Sequence, residues 1–426
     1  MKFQEFNFHP RVAAGVTAAG FTVPTPIQAQ AIPSVMTGRD IMGLAQTGTG
    51  KTAAFALPIL HRLMEGKRGH VRALIIAPTR ELAEQIHAAI ESLGQQTRLR
   101  SLTVYGGVGV NPQVQKLKQG AEIVVACPGR LLDHIRQGTI DLSRLEMLVL
   151  DEADQMFDMG FFPDIRRILA KLPKKRQTLL FSATMPAEIR KLTHEVLSDP
   201  VTAQVDTVAP ATTVSHALYP VAQHLKTGLL LELLQHTDTE SVLIFTRTKH
   251  RAKRLGLQLE KAGHRAASLQ GNLSQNRRQA ALEGFRDGRY QVLVATDIAA
   301  RGIDVSQVSH VVNYDIPDTP EAYIHRIGRT GRAARTGDAF TLVAADDAGM
   351  VRAIEKVLGS AIERRKIAGF DYNLAAPPRQ PQGPRAPRQK SAAGKNAQPA
   401  GRAKSSRRSQ RPSGPKSGKS SSAGNR

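Results

Sequence analysis

A chain of 426 residues, 41% of them hydrophobic, is long for one core, so two domains and a tail are expected. Its single cysteine, Cys127, excludes intrachain disulfides and cysteine-cluster zinc sites, and no apolar run approaches the length of a bilayer span. The formal net charge is +23; residues 377–426 hold thirteen Lys/Arg and no Asp/Glu, and taking those away leaves +10 on the rest, a surplus that points to nucleic acid before an anionic membrane surface.

The opening Met1-Lys2-Phe3-Gln4-Glu5 lacks the charged-then-apolar profile of a signal peptide, so a cytoplasmic protein with no membrane partner is expected. Gly20 to Gln28 contains Pro24 and Pro26, two apart, which predicts a shaped loop, followed by a helix-like run from Gln28 to Val35. The Gln28 amide both donates and accepts, which suits an adenine edge, and Phe21 could stack on the ring. A purely structural loop fits those residues as well.

Next comes an apolar run, Ile41 to Leu44, then Ala45-Gln46-Thr47-Gly48-Thr49-Gly50-Lys51-Thr52, then a helix-compatible stretch, Ala53 to Leu63. Strand, glycine-rich turn and helix form a phosphate cradle: glycine lets backbone N–H groups approach an anion, and the helix offers its positive end. Lys51 is expected to reach the β- and γ-phosphates and Thr52 to ligate Mg²⁺, although Ala45 replaces the first glycine of the general motif.

A rhythm follows. Ala73 to Ala77 ends in Pro78-Thr79-Arg80, Leu102 to Tyr105 in Gly106-Gly107, and Ile123 to Ala126 in Cys127-Pro128-Gly129-Arg130. Met147 to Leu150 ends in Asp151-Glu152-Ala153-Asp154, and Thr178 to Phe181 in Ser182-Ala183-Thr184. Apolar runs of about four to six residues between helical segments predict a parallel sheet covered on both faces. Ligands of such sheets sit beyond the strands' carboxyl ends, where all of these polar clusters fall. The rhythm lapses near Val205 to Tyr219 and restarts at Val242 to Phe245, Ala267 to Leu269, Val292 to Ala295, His310 to Asn313 and Phe340 to Val343. The predicted organisation is therefore domain one over 1–207 with the phosphate loop, a linker over 208–218, domain two over 219–370, and a tail over 371–426 too poor in apolar residues to fold.

Asp151 at a strand end is where a carboxylate for Mg²⁺ belongs, and Glu152 beside it could orient or deprotonate a water. Arg326, Arg329 and Arg332 recur every three residues, so on a helical turn they would share a face, with guanidinium forks suited to phosphate. His325 is the histidine weighed as functional.

Taken together, Phe3, Gly20 to Gln28, Ala45 to Thr52, Pro78 to Ala83, Gly106-Gly107, Pro128 to Arg130, the literal Asp-Glu-Ala-Asp at 151–154, Ser182 to Thr184, Thr246-Arg247, Gln270-Gly271, Ala295 to Asp304 and His325 to Arg332 resemble the DEAD-box RNA helicases over about Phe3 to Gly337. The general wording and basic tail are similar to the bacterial RhlE-type subgroup. The resemblance implies an α/β fold of two tandem RecA-like domains, each a mainly parallel sheet flanked by helices, with a disordered basic C-terminal tail. It implies ATP and Mg²⁺, with Phe21 and Gln28 on adenine, Ala45 to Thr52 and Asp151 around phosphates and metal, Glu152 on water, and Asp304 on the ribose. Arg329 and Arg332 would be finger arginines; Ser182, Thr184, Asp154 and His325 would couple hydrolysis to strand separation. Pro78, Thr79, Arg80, Gly107, Gly129, Arg130, Arg247, Thr296 and Gly302 would line an RNA backbone, in contacts largely blind to sequence. Cys127 departs from the threonine usual there, so it is left out of the site. An RNA-stimulated ATPase that unwinds short duplexes or remodels RNA–protein complexes is the expected function, with ribosomal or RNA-decay assemblies as partners. An ATP-gated RNA clamp and a DNA translocase are the alternatives, separable by turnover with and without RNA and by RNA against single-stranded DNA as activator.

Overall fold

The central strands of the first half are built mainly of aliphatic side chains, and their alternate residues enter different cores. Ile75, Ile123, Val125, Val149 and Leu179 pack into one buried cluster, while Leu74, Ile76, Val124, Leu148 and Leu180 pack into another. A strand turns successive side chains to opposite faces, so the sheet is covered on both sides. The second half repeats this, with Val242, Ile244 and Val294 on one side and Leu243, Phe245 and Leu293 on the other. The computed structural model describes residues 1–46, 48–205, 214–237, 239–300, 308–331 and 337–376.

In the first lobe the strands are β1 (Ile41–Leu44), β2 (Ala73–Ile76), β3 (Ser101–Val104), β4 (Ile123–Ala126), β5 (Met147–Leu150), β6 (Gln177–Ser182) and β7 (Val201–Gln204). They form one parallel sheet in the order β3-β4-β2-β5-β6-β1-β7. The second lobe has β8 (Val214–Pro220), β9 (Val242–Phe245), β10 (Ala266–Leu269), β11 (Val292–Ala295), β12 (His310–Asn313), β13 (Gly337–Val343) and β14 (Glu363–Arg364). Its order, β10-β11-β9-β12-β13-β8-β14, is the same topology shifted by seven strands. Helices alternate with the strands and flank both sheets, the tandem RecA-like architecture. Both lobes lie in one unit, Met1–Ala375. Among the described residues no helix is long and apolar enough to cross a membrane.

Several boundaries differ from expectation. Strand β8 starts at Val214, inside the predicted linker, because its apolar residues alternate with Ser215 and His216 on a strand whose burial is uneven; residues 206–213 lie outside the described ones. The helix Pro26–Met36 starts two residues before Gln28. Pro26 occupies its first turn, where a missing N–H costs nothing, so the second proline opens the helix instead of forbidding it. The tail was expected from 371, yet Tyr372 packs on Phe370 at 4.9 Å and its hydroxyl accepts from Ile367 N at 2.9 Å. Residues 377–426, where the disordered tail was expected, lie outside the described residues.

Candidate active site

The strand order divides the carboxyl edge of the first sheet into two halves. Neighbours β5, β6 and β1 end in Asp151-Glu152, Ser182 and the glycine-rich loop, whereas β3, β4 and β2 end in Gly106-Gly107, Pro128-Gly129-Arg130 and Pro78-Thr79-Arg80. The residues expected to hold nucleotide are thus grouped, and those expected on RNA are grouped beside them.

In the loop, Gly48 and Gly50 adopt φ of +84° and +96°. Gly50 is needed twice over, since a Cβ there would stand 2.5 Å from Gln28 Nε2. Lys51 is buried and donates from Nζ to its own loop at Ala45 O, 2.8 Å. Thr49 Oγ1 closes the turn on Gln46 O at 2.7 Å, and half-buried Thr52 sits in the first turn of the helix Lys51–Leu63. Ala45 N donates to Ser182 O at 3.1 Å, tying the loop to β6. Thr47 lies outside the described residues.

Gln28 is buried, with Oε1 accepting from Thr25 N at 2.9 Å and Nε2 donating to Gly50 O at 3.1 Å. An amide has a second lone pair and a second proton, so these bonds leave capacity for a base edge. They also connect the Phe21 segment to the phosphate loop, a link the residue types alone do not reveal. Phe21 is half-buried, its ring 5.5 Å from that of Phe3.

Asp151 is 2% exposed; burial pushes its carboxyl up to about 7, with the Lys51 ammonium opposing and Glu152 reinforcing the rise. Its Oδ1 accepts from Glu152 N at 3.0 Å. Glu152 holds φ +52°, a left-handed conformation for a residue with a side chain, at the start of the helix Ala153–Asp158. Such strain, held where an acidic side chain enters a cleft, marks a functional position. Asp154 is buried as a clamp: its Oδ2 accepts from Ala183 N (3.1 Å), Thr184 N (2.9 Å) and Thr184 Oγ1 (3.0 Å). Ser182 Oγ donates to Thr184 O at 2.7 Å and accepts from Asp154 N at 3.3 Å. The Ser-Ala-Thr turn is therefore hung on the fourth residue of the acidic run.

The second lobe faces this group. One cleft is lined by Gln46, Glu152 and Asp154 from the first lobe and by His325 and Arg329 from the second. Burial lowers the His325 pKa, partly offset by Asp154. Arg326 lines the same cleft as Arg329 but its guanidinium is taken up by partners within the second lobe. The helix Pro320–Ile327 ends before Arg329, and buried Arg326 is committed to its own lobe. It pairs bidentately with Asp297 at 2.6 and 2.7 Å and donates to Asn313 Oδ1 and Asp315 O at 3.0 and 2.8 Å. Helical periodicity applies only while the helix lasts, so the spacing carries no further than Ile327. Arg332, Asp304 and Gly302 lie outside the described residues.

On the other half of the edge, Pro78 and Thr79 are buried, and Thr79 Oγ1 accepts from Leu82 N at 3.3 Å as a helix cap. Arg80 lies against Gly107, where a Cβ would meet its guanidinium at 2.1 Å. Gly129 is exposed, and Arg130 donates to Val108 O at 3.2 Å. In the second lobe exposed Arg247 follows β9 and buried Thr296 follows β11, which are neighbouring strands. Cys127 is buried, its thiol pushed up to about 12 by burial, and it starts the helix Pro128–Arg136 without a capping bond. Two lobe-to-lobe contacts carried no sequence signal. Arg278 Nε pairs with Glu81 Oε1 at 2.7 Å, both nearly buried, and Arg80 Nη1 donates to Gln275 Oε1 at 3.3 Å. Partners about two hundred residues apart are brought together only by the fold.

Residues 25–192 match the family described as DEAD/DEAH box helicase, and residues 225–334 the one described as Helicase conserved C-terminal domain. The chain is 42% identical over 375 residues to the DEAD-box ATP-dependent RNA helicase CshA of Bacillus subtilis, covering 87% of this chain and 75% of that one. It is 47% identical over 346 residues to the RNA helicase CrhR of Synechocystis, covering 81% and 70%. The structure of S. cerevisiae Dbp5 bound to RNA and ADP BeF3 is similar with a TM-score of 0.77 at 33% identity, covering 85% and 95% of the two chains. A DEAD box protein from Methanococcus jannaschii gives 0.51 at 36% identity, covering 86% and 99%. The expected RhlE-type subgroup is not supported, since these relatives are CshA and CrhR proteins. Motif order defines the family, and tail composition was too general to define a subgroup.

Proposed function

This chain belongs to the DEAD/DEAH box helicase family, and we propose that its two lobes close on ATP and single-stranded RNA together, hydrolyse the ATP, and separate short RNA duplexes locally and without processive travel. It is an ATP-dependent RNA helicase; the site roles and domain limits within it are our reading. The observation that carries the reading is the shared cleft, with Glu152 and Asp154 on one wall and His325 and Arg329 on the other. The first lobe would bind the nucleotide, and the second, which starts with β8 at Val214, would supply the finger arginines.

The glycine loop, the Lys51 ammonium and the buried Asp151 fit a magnesium–nucleotide complex. Among the described residues no group of three or more His, Cys, Asp or Glu could hold a metal alone. Thr52 Oγ1 and Asp151 would therefore hold Mg²⁺ jointly with phosphate oxygens and water. A bound magnesium–nucleotide complex would supply an electrophilic γ-phosphorus and a leaving group whose charge the metal partly offsets. Lys51 Nζ would leave Ala45 O for the β- and γ-phosphates. The Glu152 carboxylate would orient the attacking water and take its proton. Arg329, with Arg332, would stabilise charge building on the phosphoryl oxygens, a contribution of about 10³ to 10⁵ in rate. Phe21, Gln28, Ala45 to Gly50 and Asp304 would complete the nucleotide contacts.

Asp154 relays that event, because the same carboxylate holds Thr184 and faces His325. Pro78, Thr79, Arg80, Gly107, Gly129, Arg130, Arg247, Thr296 and Gly302 would line the strand through its backbone, leaving little base readout. The likeness to a yeast protein whose structure holds RNA and ADP BeF3 together supports lobes that close on both ligands. We place the protein in the cytoplasm, on ribosomal or RNA-decay assemblies. The test is phosphate release by the purified chain with and without RNA, using Glu152→Gln as control. Turnover indifferent to RNA overturns the reading.

A further inference from the structure

The two sheets correspond residue by residue. Leu44 pairs with Ser182 as Pro220 pairs with Val343, and Leu150 with Leu180 as Asn313 with Thr341. The same alignment sets Thr79 against Thr248, and both cap the following helix through their hydroxyls. It also sets Asp151 against Tyr314 and Glu152 against Asp315. After β8 the second lobe then starts its first helix, Lys226–His236, with Lys226-Thr227, where the first lobe starts Lys51–Leu63 with Lys51-Thr52.

The second lobe has kept the lysine and lost the cradle. Between Pro220 and Lys226 stand Val221-Ala222-Gln223-His224-Leu225, without glycine, and Leu225 before the helix has φ −92° where Gly50 has +96°. Lys226 is 1% exposed, and its Nζ donates to Tyr314 O at 3.1 Å and Leu342 O at 2.7 Å, with Asp347 at 3.6 Å. Burial lowers its pKa while Asp347 opposes the shift. Thr227 Oγ1, the counterpart of Thr52, bonds at 2.9 Å to the hydroxyl of Tyr314, the counterpart of Asp151.

What hangs on Tyr314-Asp315 is the second lobe's half of the active site. The Asp315 carboxylate accepts from Arg247 N at 2.9 Å and from Arg251, and the Asp315 carbonyl accepts from Arg326 Nη1 at 2.8 Å. Arg326 belongs to the helix that carries His325 and leads into Arg329. We propose that Lys226 is a relic phosphate-loop lysine turned positioning residue, fastening the Tyr314-Asp315 turn so that Arg329 meets the nucleotide and Arg247 meets RNA in register. This rests on the RNA-stimulated ATPase reading and adds to it a residue that touches neither ligand.

The experiment compares the full-length parent with Lys226→Met, which keeps side-chain length and removes the donors, and with Thr227→Val, which removes only the hydroxyl bond. RNA-stimulated phosphate release is measured over a range of ATP, per folded molecule, below the unfolding temperature. Misplacing a catalytic group by about 1 Å costs on the order of 10²-fold in rate. Lys226→Met should therefore lose roughly 10- to 100-fold in kcat with KM for ATP within about twofold, since the phosphate loop and adenine contacts lie on the other lobe, and Thr227→Val should shift the same way by less. Parent kcat in folded Lys226→Met overturns the proposal, as does a loss that the unfolded fraction accounts for. If Lys226→Met does not fold, Thr227→Val decides, and an unchanged kcat there overturns it. A parent that ignores RNA would sink the helicase reading instead, which is a separate result read from the parent alone.

Discussion

Asp151 ends an apolar strand, and its carboxyl, pushed up to about 7 by burial, is partly protonated near neutrality before any ligand arrives. A magnesium–nucleotide complex takes the ionised form, so binding should release a proton below pH 7. Affinity should rise with pH by up to about tenfold per unit and level off above 7, as read by calorimetry in buffers of different ionisation enthalpy. The sign for folding is opposite. A carboxyl whose folded pKa is raised favours the fold at low pH, and that contribution is lost as pH climbs through about 7. An affinity that falls with pH over this range would refute the role of Asp151. At the same scale, Lys51→Ala should abolish turnover, whereas Arg329→Ala should keep nucleotide binding and lose about 10³-fold or more in hydrolysis. Normal turnover in the Arg329 variant would break the two-lobe site.

Elements decide what those residues can reach. Glu81 lies in the first turn of the helix Arg80–Gly94 and Arg278 in that of Gln275–Arg286, and their buried pair joins the two lobes. Glu81→Gln and Arg278→Gln should each raise the RNA concentration needed for half-maximal ATPase. Their double-mutant cycle should show coupling of about 1–2 kcal/mol, because each single change leaves a desolvated partner. Additive effects would mean that the pair forms without serving closure. The other elements explain the departures from sequence pattern. Pro26 is accepted because it opens a helix, and Arg326 is set apart from Arg329 because Asp297, Asn313 and Asp315 hold its guanidinium.

Over the whole molecule, ATP sits on one lobe and its finger arginines on the other, so each ligand that spans the cleft should strengthen the other's binding. A fragment ending at Val205 should bind nucleotide yet show none of the RNA-stimulated turnover; full activity in the fragment would refute the split site. Deleting residues 377–426, which hold thirteen positive charges and no negative ones, should weaken RNA binding and flatten its salt dependence. The slope of log affinity against log salt should fall by about 0.7 for each single-strand phosphate that the tail no longer neutralises. An unchanged slope would show that the tail stays off the RNA.

From residue order alone came the two α/β lobes, the phosphate loop, the acidic run and the family, because apolar runs of strand length and glycine-bearing turns are local properties of the chain. The grouping of β5-β6-β1 apart from β3-β4-β2, the Asp154 clamp on Thr184, the Glu81–Arg278 pair and the burial of Lys226 under Tyr314 belong to the tertiary structure. They join residues 30 to 197 positions apart, and no local pattern encodes which distant strand end or helix a side chain will meet.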